Sequence, residues 1–335
     1  MKKILLSLTI LFSSVIFASS EVNVYSQRHY DSDKKLFKEF EAKTGIKVNL
    51  VSAKAEELVS RLSIEGANSP ADILITADIG NLYLAKQRGL VQNIKSDILN
   101  KNIPSHLRDE DGAWFALTKR ARIVVYNPKT VDPKDLEDYF SLINPKFKGK
   151  IVTRTSTHPY NKSLIASIIA HHGEEKALEF TKGIANNFAR NPKGGDKDQV
   201  RAVASGEADL AIVNSYYLGV MANSKDKVDE EIAKEVKIFF PAQNTTGTHI
   251  NISGASITKF SPNKQNAIKL IEFLTSVEAQ GELAEGNYEY PVNPKVKPAG
   301  IVASWGEFKE DQIPLNEVGK YTKEAVEIAT KGRWK

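Results

Sequence analysis

The sequence predicts an α/β protein with largely parallel sheets that is long enough for two domains. Short apolar runs with the character of strands alternate with amphipathic helical stretches along most of the chain. Of its 335 residues, 41% are hydrophobic and 26% are charged. This is an ordinary globular balance, which argues against a disordered chain or a coiled coil.

The first 20 residues have the pattern of a cleaved signal peptide. Lys2 and Lys3 precede an apolar run from Ile4 to Phe17, and small residues follow at 18–20. The apolar run is shorter than the roughly 20 residues that a helix needs to span a bilayer. We therefore expect an exported, periplasmic protein, cleaved after a residue between 18 and 20.

The composition excludes several kinds of site. The chain contains no cysteine, so it forms neither disulfides nor thiolate metal sites. Loss of Lys2 and Lys3 with the signal peptide would lower the formal net charge from +5 to +3. Because basic and acidic residues are interleaved, this small positive excess does not predict nucleic-acid binding.

The first strand and helix follow the predicted signal peptide directly. The run EVNVYS predicts a strand, and DSDKKLFKEFEAKTG predicts a helix that is capped by Asp31 or Ser32 and ended by Gly45. Leu36 and Phe40 lie on the apolar face of this helix. The next run, IKVNLVSA, predicts a second strand.

The unit of a strand followed by a helix recurs three times further along the chain. These units are ADILITAD with IGNLYLAKQRGL, KIVTRTS with NKSLIASIIAHHG, and ADLAIVN with SYYLGVMANS. Two further strands are predicted at residues 117–126 and near residues 248–260. Either of these two strands could carry the chain between two lobes.

Tyrosines follow three of the predicted strands, at the point where each strand ends. Tyr30 follows the first strand with His29 beside it, Tyr160 follows KIVTRTS, and the pair Tyr216 and Tyr217 follows ADLAIVN. Open α/β sheets bind ligands beyond the carboxyl ends of their strands, so we expect these side chains to converge. Adjacent residues within a strand point to opposite faces, but at a strand-to-helix turn they can serve one site. Simple aromatic packing in a loop is the alternative for the pair taken alone.

A group of phenols suits a narrow range of ligands. The pKa of a free phenol is about 10, so keeping one phenol ionised at neutral pH costs about 4 kcal/mol, and four cost on the order of 16 kcal/mol. Only a strongly polarising cation offsets this cost, and hard oxygen donors fit Fe(III) better than zinc, calcium or copper. Four phenolates on Fe(III) leave a charge of −1. Arg120 and Arg122 share one strand face and are candidate counter-charges, with a solvated surface role as the alternative for both.

Five motifs of this chain occur together in one known family. They are VYSQRHYDSD, PADILITAD, KRARIVVYNP, SGEADLAIVNSYY and GASITKFSPNKQNAIKLIEFL. In these motifs the chain resembles the periplasmic ferric-iron-binding proteins of bacterial ABC importers, which have the type II periplasmic binding protein fold. The resemblance covers nearly all of the sequence after the signal peptide, and the tyrosine pair is its most specific part.

The resemblance implies which residues would bind the metal. Carried over by motif, Tyr216 and Tyr217 would be ligands of Fe(III), and His29 would be a further ligand in the first loop. One branch of the family adds a glutamate ligand just after the PADILITAD strand, where this chain has threonine, alanine and aspartate instead. This difference favours the tyrosine-rich branch, in which Tyr30 and Tyr160 complete the coordination sphere.

The resemblance also implies an architecture and partners. Residues 21–118 and 246–290 would form one lobe, and residues 119–245 and 291–335 would form the other. Each lobe would be a mainly parallel sheet flanked by helices, and two hinge strands would join them. Arg120 would balance the charge of the centre or contact an anion. The protein would be a monomer that delivers Fe(III) to an inner-membrane ABC permease, and it would not be an enzyme.

Two other functions stay open on the sequence alone. An exported receptor for an oxyanion, a polyamine or a similar small molecule could use the same fold with a different pocket. An exported iron or peroxide enzyme is the third alternative, because tyrosinate also ligates catalytic iron. No Ser-His-Asp triad or catalytic carboxylate pair can be singled out from the sequence.

Overall fold

The structure is a computed structural model that describes residues 21–335. The predicted signal peptide at residues 1–20 lies outside the described residues. Nine strands form within the described part of the chain. They are β1 (Glu21–Ser26), β2 (Lys47–Ser52), β3 (Ile73–Thr76), β4 (Phe115–Tyr126), β5 (Ile151–Val152), β6 (Leu210–Asn214), β7 (Lys237–Phe239), β8 (Ile250–Ile257) and β9 (Tyr290–Pro291).

Thirteen α-helices within residues 21–335 accompany these strands. They are α1 (Asp31–Thr44), α2 (Ala55–Glu65), α3 (Ile79–Gln87), α4 (Asp97–Asn102), α5 (Pro159–Asn186), α6 (Asp196–Ala204), α7 (Tyr216–Ala222), α8 (Lys227–Glu235), α9 (Lys264–Leu274), α10 (Val277–Glu285), α11 (Gly300–Ser304), α12 (Leu315–Lys320) and α13 (Thr322–Lys331). None of the helices in this range is long and apolar enough to cross a membrane.

The predicted strand-and-helix units are present, with small differences at their ends. Helix α1 ends at Thr44 and is capped by Gly45, whose φ of 69° lies in the left-handed region that glycine favours. The predicted caps of this helix are wrong by at least one residue, because the N-cap is Tyr30 and Asp31 is already helical. Asp31 instead places its negative charge in the first turn, where the helix dipole favours it.

Strand β4 runs through two sheets and links them. Its first part, up to Ala121, pairs with β8, and its last part, from Arg122 onward, pairs with β6. The strand order is β2-β1-β3-β8-β4-β6-β5, with β7 and β9 also paired to β4. We call the sheet that contains β1, β2, β3, β8 and β9 the first sheet, and the one that contains β5, β6 and β7 the second sheet.

The strand pairing is mixed rather than mainly parallel. Strand β1 pairs in parallel with β2 and β3, and β5 pairs in parallel with β6. Strands β4 and β8 pair antiparallel with all of their partners in the described residues. The prediction of mainly parallel sheets is therefore wrong around these two strands. The reason is that β4 carries the chain into the second sheet and β8 begins on its return, so the two run in opposite directions.

This topology brings strand ends from both sheets to one place. Strand β6 ends at Asn214, which pairs with Arg122 where β4 passes from one sheet to the other. Helix α7 begins two residues later, at Tyr216. Because strand ends and helix starts face the crevice of an α/β sheet, the tyrosines that follow β6 lie beside the crossing of β4.

The last residues of the chain pack against helix α5 and the segment before it. The Trp334 side chain is fully buried, and its ring centroid lies 6.1 Å from that of Phe180 and 5.8 Å from that of Phe188. Its indole Nε1 donates a hydrogen bond to the backbone oxygen of Arg154 at 3.2 Å. Trp334 therefore fixes the segment that leads from β5 to α5.

Replacing Trp334 by Ala should lower the free energy of unfolding of the ligand-free protein by about 3–5 kcal/mol, because it removes a buried aromatic side chain. Urea unfolding followed by circular dichroism measures this loss. Trp305→Ala is the matched control, because Trp305 is only partly buried and its removal should cost less. Equal losses for the two variants would contradict the packing role of Trp334.

Candidate metal centre

Three of the predicted tyrosines touch one another. The hydroxyl oxygens of Tyr160 and Tyr216 lie 3.0 Å apart and form a hydrogen bond in which either group can donate. The rings of Tyr216 and Tyr217 stack with their centroids 4.3 Å apart and their planes inclined by 28°. The structure therefore brings together phenols from two separate strand ends.

Helix α7 starts so that both of its first two residues face the same region. Strand β6 ends at Asn214, and Ser215 then adopts helical backbone angles. Ser215 is fixed to β4, because its backbone N–H donates to the Ala121 oxygen at 2.9 Å and its Oγ accepts from the Ala121 N–H at 3.3 Å. Tyr216 is buried and Tyr217 is half-buried. The strand-to-helix turn thus places two adjacent phenols side by side, as the sequence predicts.

Tyr160 lies in the first turn of α5, beside the N-cap residue His158. The Tyr160 backbone N–H donates to His158 Nδ1 at 3.4 Å, and the two ring centroids lie 4.4 Å apart. Burial, together with the nearby cations Arg154, Arg122 and Lys162, lowers the pKa of His158 to about 3. The His158 imidazole is therefore neutral at neutral pH and contributes no charge to the centre.

His29 and Tyr30 lie between β1 and α1, on the first-sheet side. Their rings stack with centroids 5.7 Å apart, and the exposed His29 has its Nδ1 3.2 Å from the backbone oxygen of Gln27. The guanidinium carbon of Arg28 lies 4.9 Å from the ring centroid of Tyr30. Tyr30 is the only one of the four tyrosines proposed as ligands that follows a strand of the first sheet.

A buried chain of alternating charges lies beneath Tyr30. Asp33 pairs with Arg28 at 2.8 Å, Arg28 pairs with Glu289 at 2.8 Å, and Glu289 pairs with Arg120 at 3.1 Å. Arg120 also donates to Ser253 Oγ at 2.9 Å. Burial opposes ionisation of Glu289, but the two arginines outweigh it and hold the pKa of Glu289 below its ordinary value. We call these four charged residues the first charge cluster.

A second charge cluster consists of Arg122, Asp196 and Arg154. Arg122 Nη1 lies 3.2 Å from one oxygen of Asp196, and Arg154 Nη1 lies 3.3 Å from the other. Arg122 also donates to Asn161 Oδ1 at 2.6 Å and to Asn214 Oδ1 at 3.1 Å. Arg122 and Asp196 are buried, whereas 17% of the Arg154 side chain is exposed.

Both clusters meet at the ring of Tyr160. Its centroid lies 5.4 Å from the guanidinium carbon of Arg154, 5.8 Å from that of Arg120 and 5.9 Å from that of Arg122. Cations attract the face of an aromatic ring, and they attract the ring more strongly once the phenol has ionised. Three guanidinium groups therefore favour a negative charge at this position.

The pKa values of the buried phenols are raised despite these arginines. Burial raises the pKa of Tyr160 and Tyr216 above the ordinary phenol value. Negative charge on the neighbouring tyrosines raises them further, with Tyr217 acting on Tyr160, and with Tyr160, Tyr217 and Tyr30 acting on Tyr216. Arg120 opposes both shifts. Without a bound cation, these phenols are protonated at neutral pH.

The pKa of Tyr30, on the first-sheet side, is subject to the same opposing effects. Burial and the charge of Glu289 raise the pKa of Tyr30, while Arg28 and Arg120 lower it. The charge of Tyr30 raises the pKa of Tyr216, and Arg120 lowers the pKa of both. Because Tyr160 and Tyr217 also raise the pKa of Tyr216, the four predicted phenols interact electrostatically as one group. A ligand that ionises one of them therefore alters the protonation of the others.

The donors available for a metal here are phenol oxygens. Within residues 21–335, no group of three or more histidine, aspartate or glutamate side chains is arranged to hold a metal ion. The tyrosine group, together with the imidazole of His29, offers hard oxygen donors and one nitrogen donor. This set suits a hard trivalent cation better than a soft or divalent one.

Sequence reasoning did not identify five of the seven charged residues in the two clusters, namely Arg28, Asp33, Arg154, Asp196 and Glu289. Arg28 precedes His29 directly, and Arg154 lies in the KIVTRTS run, so a survey of strand ends for cations could have found both. Asp196 and Glu289 lie outside the strand-end segments from which the site was predicted. Only the fold brings these two carboxylates to the arginines.

Comparison with known proteins identifies the family. Residues 35–310 match the family model of bacterial extracellular solute-binding proteins. The chain belongs to this family. Its members are solute-binding proteins of transport systems and not enzymes, as we expected for this chain, and they are extracellular.

The chain is similar to several proteins with iron in their names. Iron uptake protein A1 of Synechocystis sp. is 47% identical over 315 residues, which cover 94% of this chain and 88% of that protein. The ferric binding protein from Campylobacter jejuni is 50% identical, with a TM-score of 0.88 over 94% of this chain and 100% of that one. The Trichodesmium protein IdiA (FutA), solved with iron and citrate ligands, is 45% identical, with a TM-score of 0.92 over the same shares. The predicted two-lobed fold and the predicted resemblance are confirmed.

Proposed function

We propose that this protein captures Fe(III) between its two lobes in the periplasm and delivers it to an inner-membrane ABC permease. The observation that carries the proposal is the contact among Tyr160, Tyr216 and Tyr217 beside buried guanidinium groups. The names of the similar proteins, an iron uptake protein and a ferric binding protein, support the same solute.

The proposed ligands are the four clustered phenolates and one imidazole. They are His29, Tyr30, Tyr160, Tyr216 and Tyr217. Each phenolate supplies a hard, negatively charged oxygen, which a trivalent ion binds strongly. His29 is the weakest member of the set, because a neutral imidazole is a softer donor without charge.

The proposed role of Arg120 is to stabilise these phenolates. Its guanidinium group acts on Tyr30, Tyr160 and Tyr216, so it is the cation that faces phenols from both sides of the site. It is fixed by hydrogen bonds to Ser253 Oγ and to the backbone oxygens of Ala77 and Ile252. Burial strengthens its attraction for negative charge, because little water screens it.

The proposed mechanism of capture is closure of the lobes on the metal. His29 and Tyr30 follow a strand of the first sheet, while the other three tyrosines follow strands of the second sheet. One ion bound by both sets favours the closed arrangement of the lobes. We place the lobe boundaries at residues 118/119 within β4, 245/246 before β8 and 290/291 within β9, and we propose that the protein acts as a monomer.

The two alternative solutes fit the charge clusters less well. A polyamine would meet the positive charges of Arg120, Arg122 and Arg154 around Tyr160, and like charges repel. A free oxyanion would have to displace Glu289 in order to bind Arg28 and Arg120, because both arginines pair with that carboxylate. An enzyme is not supported, because the family consists of solute-binding proteins.

Replacing Tyr216 and Tyr217 together by Phe should abolish high-affinity ferric binding. The change keeps both rings but removes two of the four proposed oxygen donors. The free energy of unfolding of the metal-free protein should fall by only about 1–2 kcal/mol, the scale of lost hydrogen bonds. Competition with citrate for ferric ion measures the affinity, and urea unfolding measures the stability.

Tyr25→Phe is the matched control for this double variant. Tyr25 is also a buried phenol, but its hydroxyl donates to Glu65 at 3.0 Å, away from the site. We expect Tyr25→Phe to keep wild-type affinity. Single changes of Tyr30 or Tyr160 to Phe should weaken binding without abolishing it, and His29→Ala should have the smallest effect. Full ferric affinity in the double variant would refute the proposed ligands.

Ferric affinity should fall steeply as pH falls. The pKa values of Tyr30, Tyr160 and Tyr216 are raised in the metal-free protein, so these phenols are protonated through the neutral range and ferric ion must displace their protons. With four phenolates the logarithm of the affinity should drop by up to ~4 per pH unit. Titration against a chelator of known protonation behaviour, from neutral to mildly acidic pH, measures this slope.

The change in the logarithm of ferric affinity per pH unit also gives the number of tyrosines that ionise on binding. A value of about 2 would mean that only two tyrosines ionise, which would remove Tyr30 and Tyr160 from the proposed set. A slope near zero would exclude phenolate ligation altogether.

A further inference from the structure

Ferric binding by four phenols makes the site more negative. Four phenolates carry four negative charges and Fe(III) carries three positive charges, so the loaded centre has a net charge of −1. A fixed positive charge nearby therefore stabilises the loaded form relative to the empty form. This reasoning rests on the proposed function, and it raises the question of which residue supplies that charge.

The first charge cluster has a net charge of zero. Arg28 and Arg120 are positive, Asp33 and Glu289 are negative, and each ion pair in the chain spans 2.8–3.1 Å. All four side chains are buried, so water screens them little. The guanidinium carbon of Arg120 lies 5.8 Å from the Tyr160 ring centroid, but the cluster as a whole is neutral, so its electrostatic field at a distance is weak.

The second charge cluster is not neutral. Arg122 and Arg154 share the single carboxylate of Asp196, which leaves a net charge of +1. Arg122 is the more fully engaged of the two arginines, because it also donates to two asparagines.

We infer that Arg154 supplies the net positive charge that stabilises the ferric centre, in addition to the contact made by Arg120. Of the three guanidinium groups around Tyr160, that of Arg154 lies nearest to the ring, at 5.4 Å. It is fixed on one side by Asp196 at 3.3 Å. Its electrostatic partners include both Tyr160 and Tyr217, which follow different strands.

The backbone of Arg154 is also held in place. Its carbonyl oxygen accepts hydrogen bonds from Asn161 Nδ2 at 2.9 Å and from Trp334 Nε1 at 3.2 Å. Because the Arg154 side chain is partly exposed, replacing it should not create a cavity in the core. Arg154 is thus a positioning residue that acts on the metal through the two phenolates and not by direct contact.

The test compares Arg154→Gln, which removes the charge, with Arg154→Lys, which keeps it. Arg154→Gln should weaken ferric affinity in citrate competition at fixed pH by roughly ten- to a hundred-fold, the effect of one charge at this range in a partly screened site. It should also lower the Fe(III)/Fe(II) reduction potential, because the ferrous form carries one more negative charge and loses more stabilisation. Arg154→Lys should restore most of both values.

Arg201→Gln is the matched control. Arg201 lies on α6, as Asp196 does, but it pairs with Asp229 at 2.8 Å and Asp198 at 2.9 Å and does not contact the tyrosines. We expect wild-type affinity and potential in this variant. Thermal melting of each metal-free variant shows whether the substitution has impaired folding. A structural defect would not be corrected by lysine, whereas a loss of charge would be.

Three outcomes would overturn the inference: unchanged affinity and potential in Arg154→Gln, tighter ferric binding in Arg154→Gln, or a lysine variant that behaves like the glutamine variant. Tighter binding would mean that no more than two phenolates bind the ion, because only then is the loaded centre positive. If the wild-type protein itself binds no ferric ion, the proposed function fails instead, so the two failures are distinguishable.

Discussion

The central constraint on this site is that a buried phenol resists ionisation, whereas the proposed ferric ligands are phenolates. Burial raises the pKa of Tyr160 and Tyr216 above the ordinary value. These two phenols are therefore neutral without a bound cation, and only a cation of high charge displaces their protons. The buried arginines do not bring the phenol pKa values down to the ordinary value, but they stabilise the negative charge of a phenolate once it forms. With the proposed ligands, the same constraint would make the site selective, because a weakly polarising ion gains too little to ionise several phenols.

Strand β4 organises the two charge clusters. Arg120 and Arg122 are two residues apart and share one face, as the sequence indicates. Because β4 leaves the first sheet at Ala121 and joins the second at Arg122, the two arginines belong to different clusters. Both nevertheless lie within 6 Å of the Tyr160 ring, at 5.8 and 5.9 Å. One strand thus connects the electrostatics of both sheets to the same phenol.

The sequence was sufficient for local features and insufficient for distant ones. The turn that places Tyr216 beside Tyr217 follows from an apolar strand that runs into a helix, and the structure has that turn. The convergence of Tyr160 followed from the rule that strand ends face one crevice. Glu289 could not be predicted, because its partners lie far away in sequence and a lone glutamate has no local pattern. The antiparallel course of β4 and β8 was missed for a similar reason, since strand direction depends on chain tracing and not on composition.

The measurement that tests the central claim most directly is the visible absorption spectrum of the protein loaded with ferric ion, recorded together with the iron content per molecule. Phenolate bound to Fe(III) donates charge to the metal and absorbs visible light, so the protein should become coloured in proportion to bound iron. The colour should saturate at about one ion per chain, since the four phenols form one group. Stoichiometric iron without a visible band would contradict phenolate ligation, and with it the reading of Tyr160, Tyr216 and Tyr217 as a metal centre.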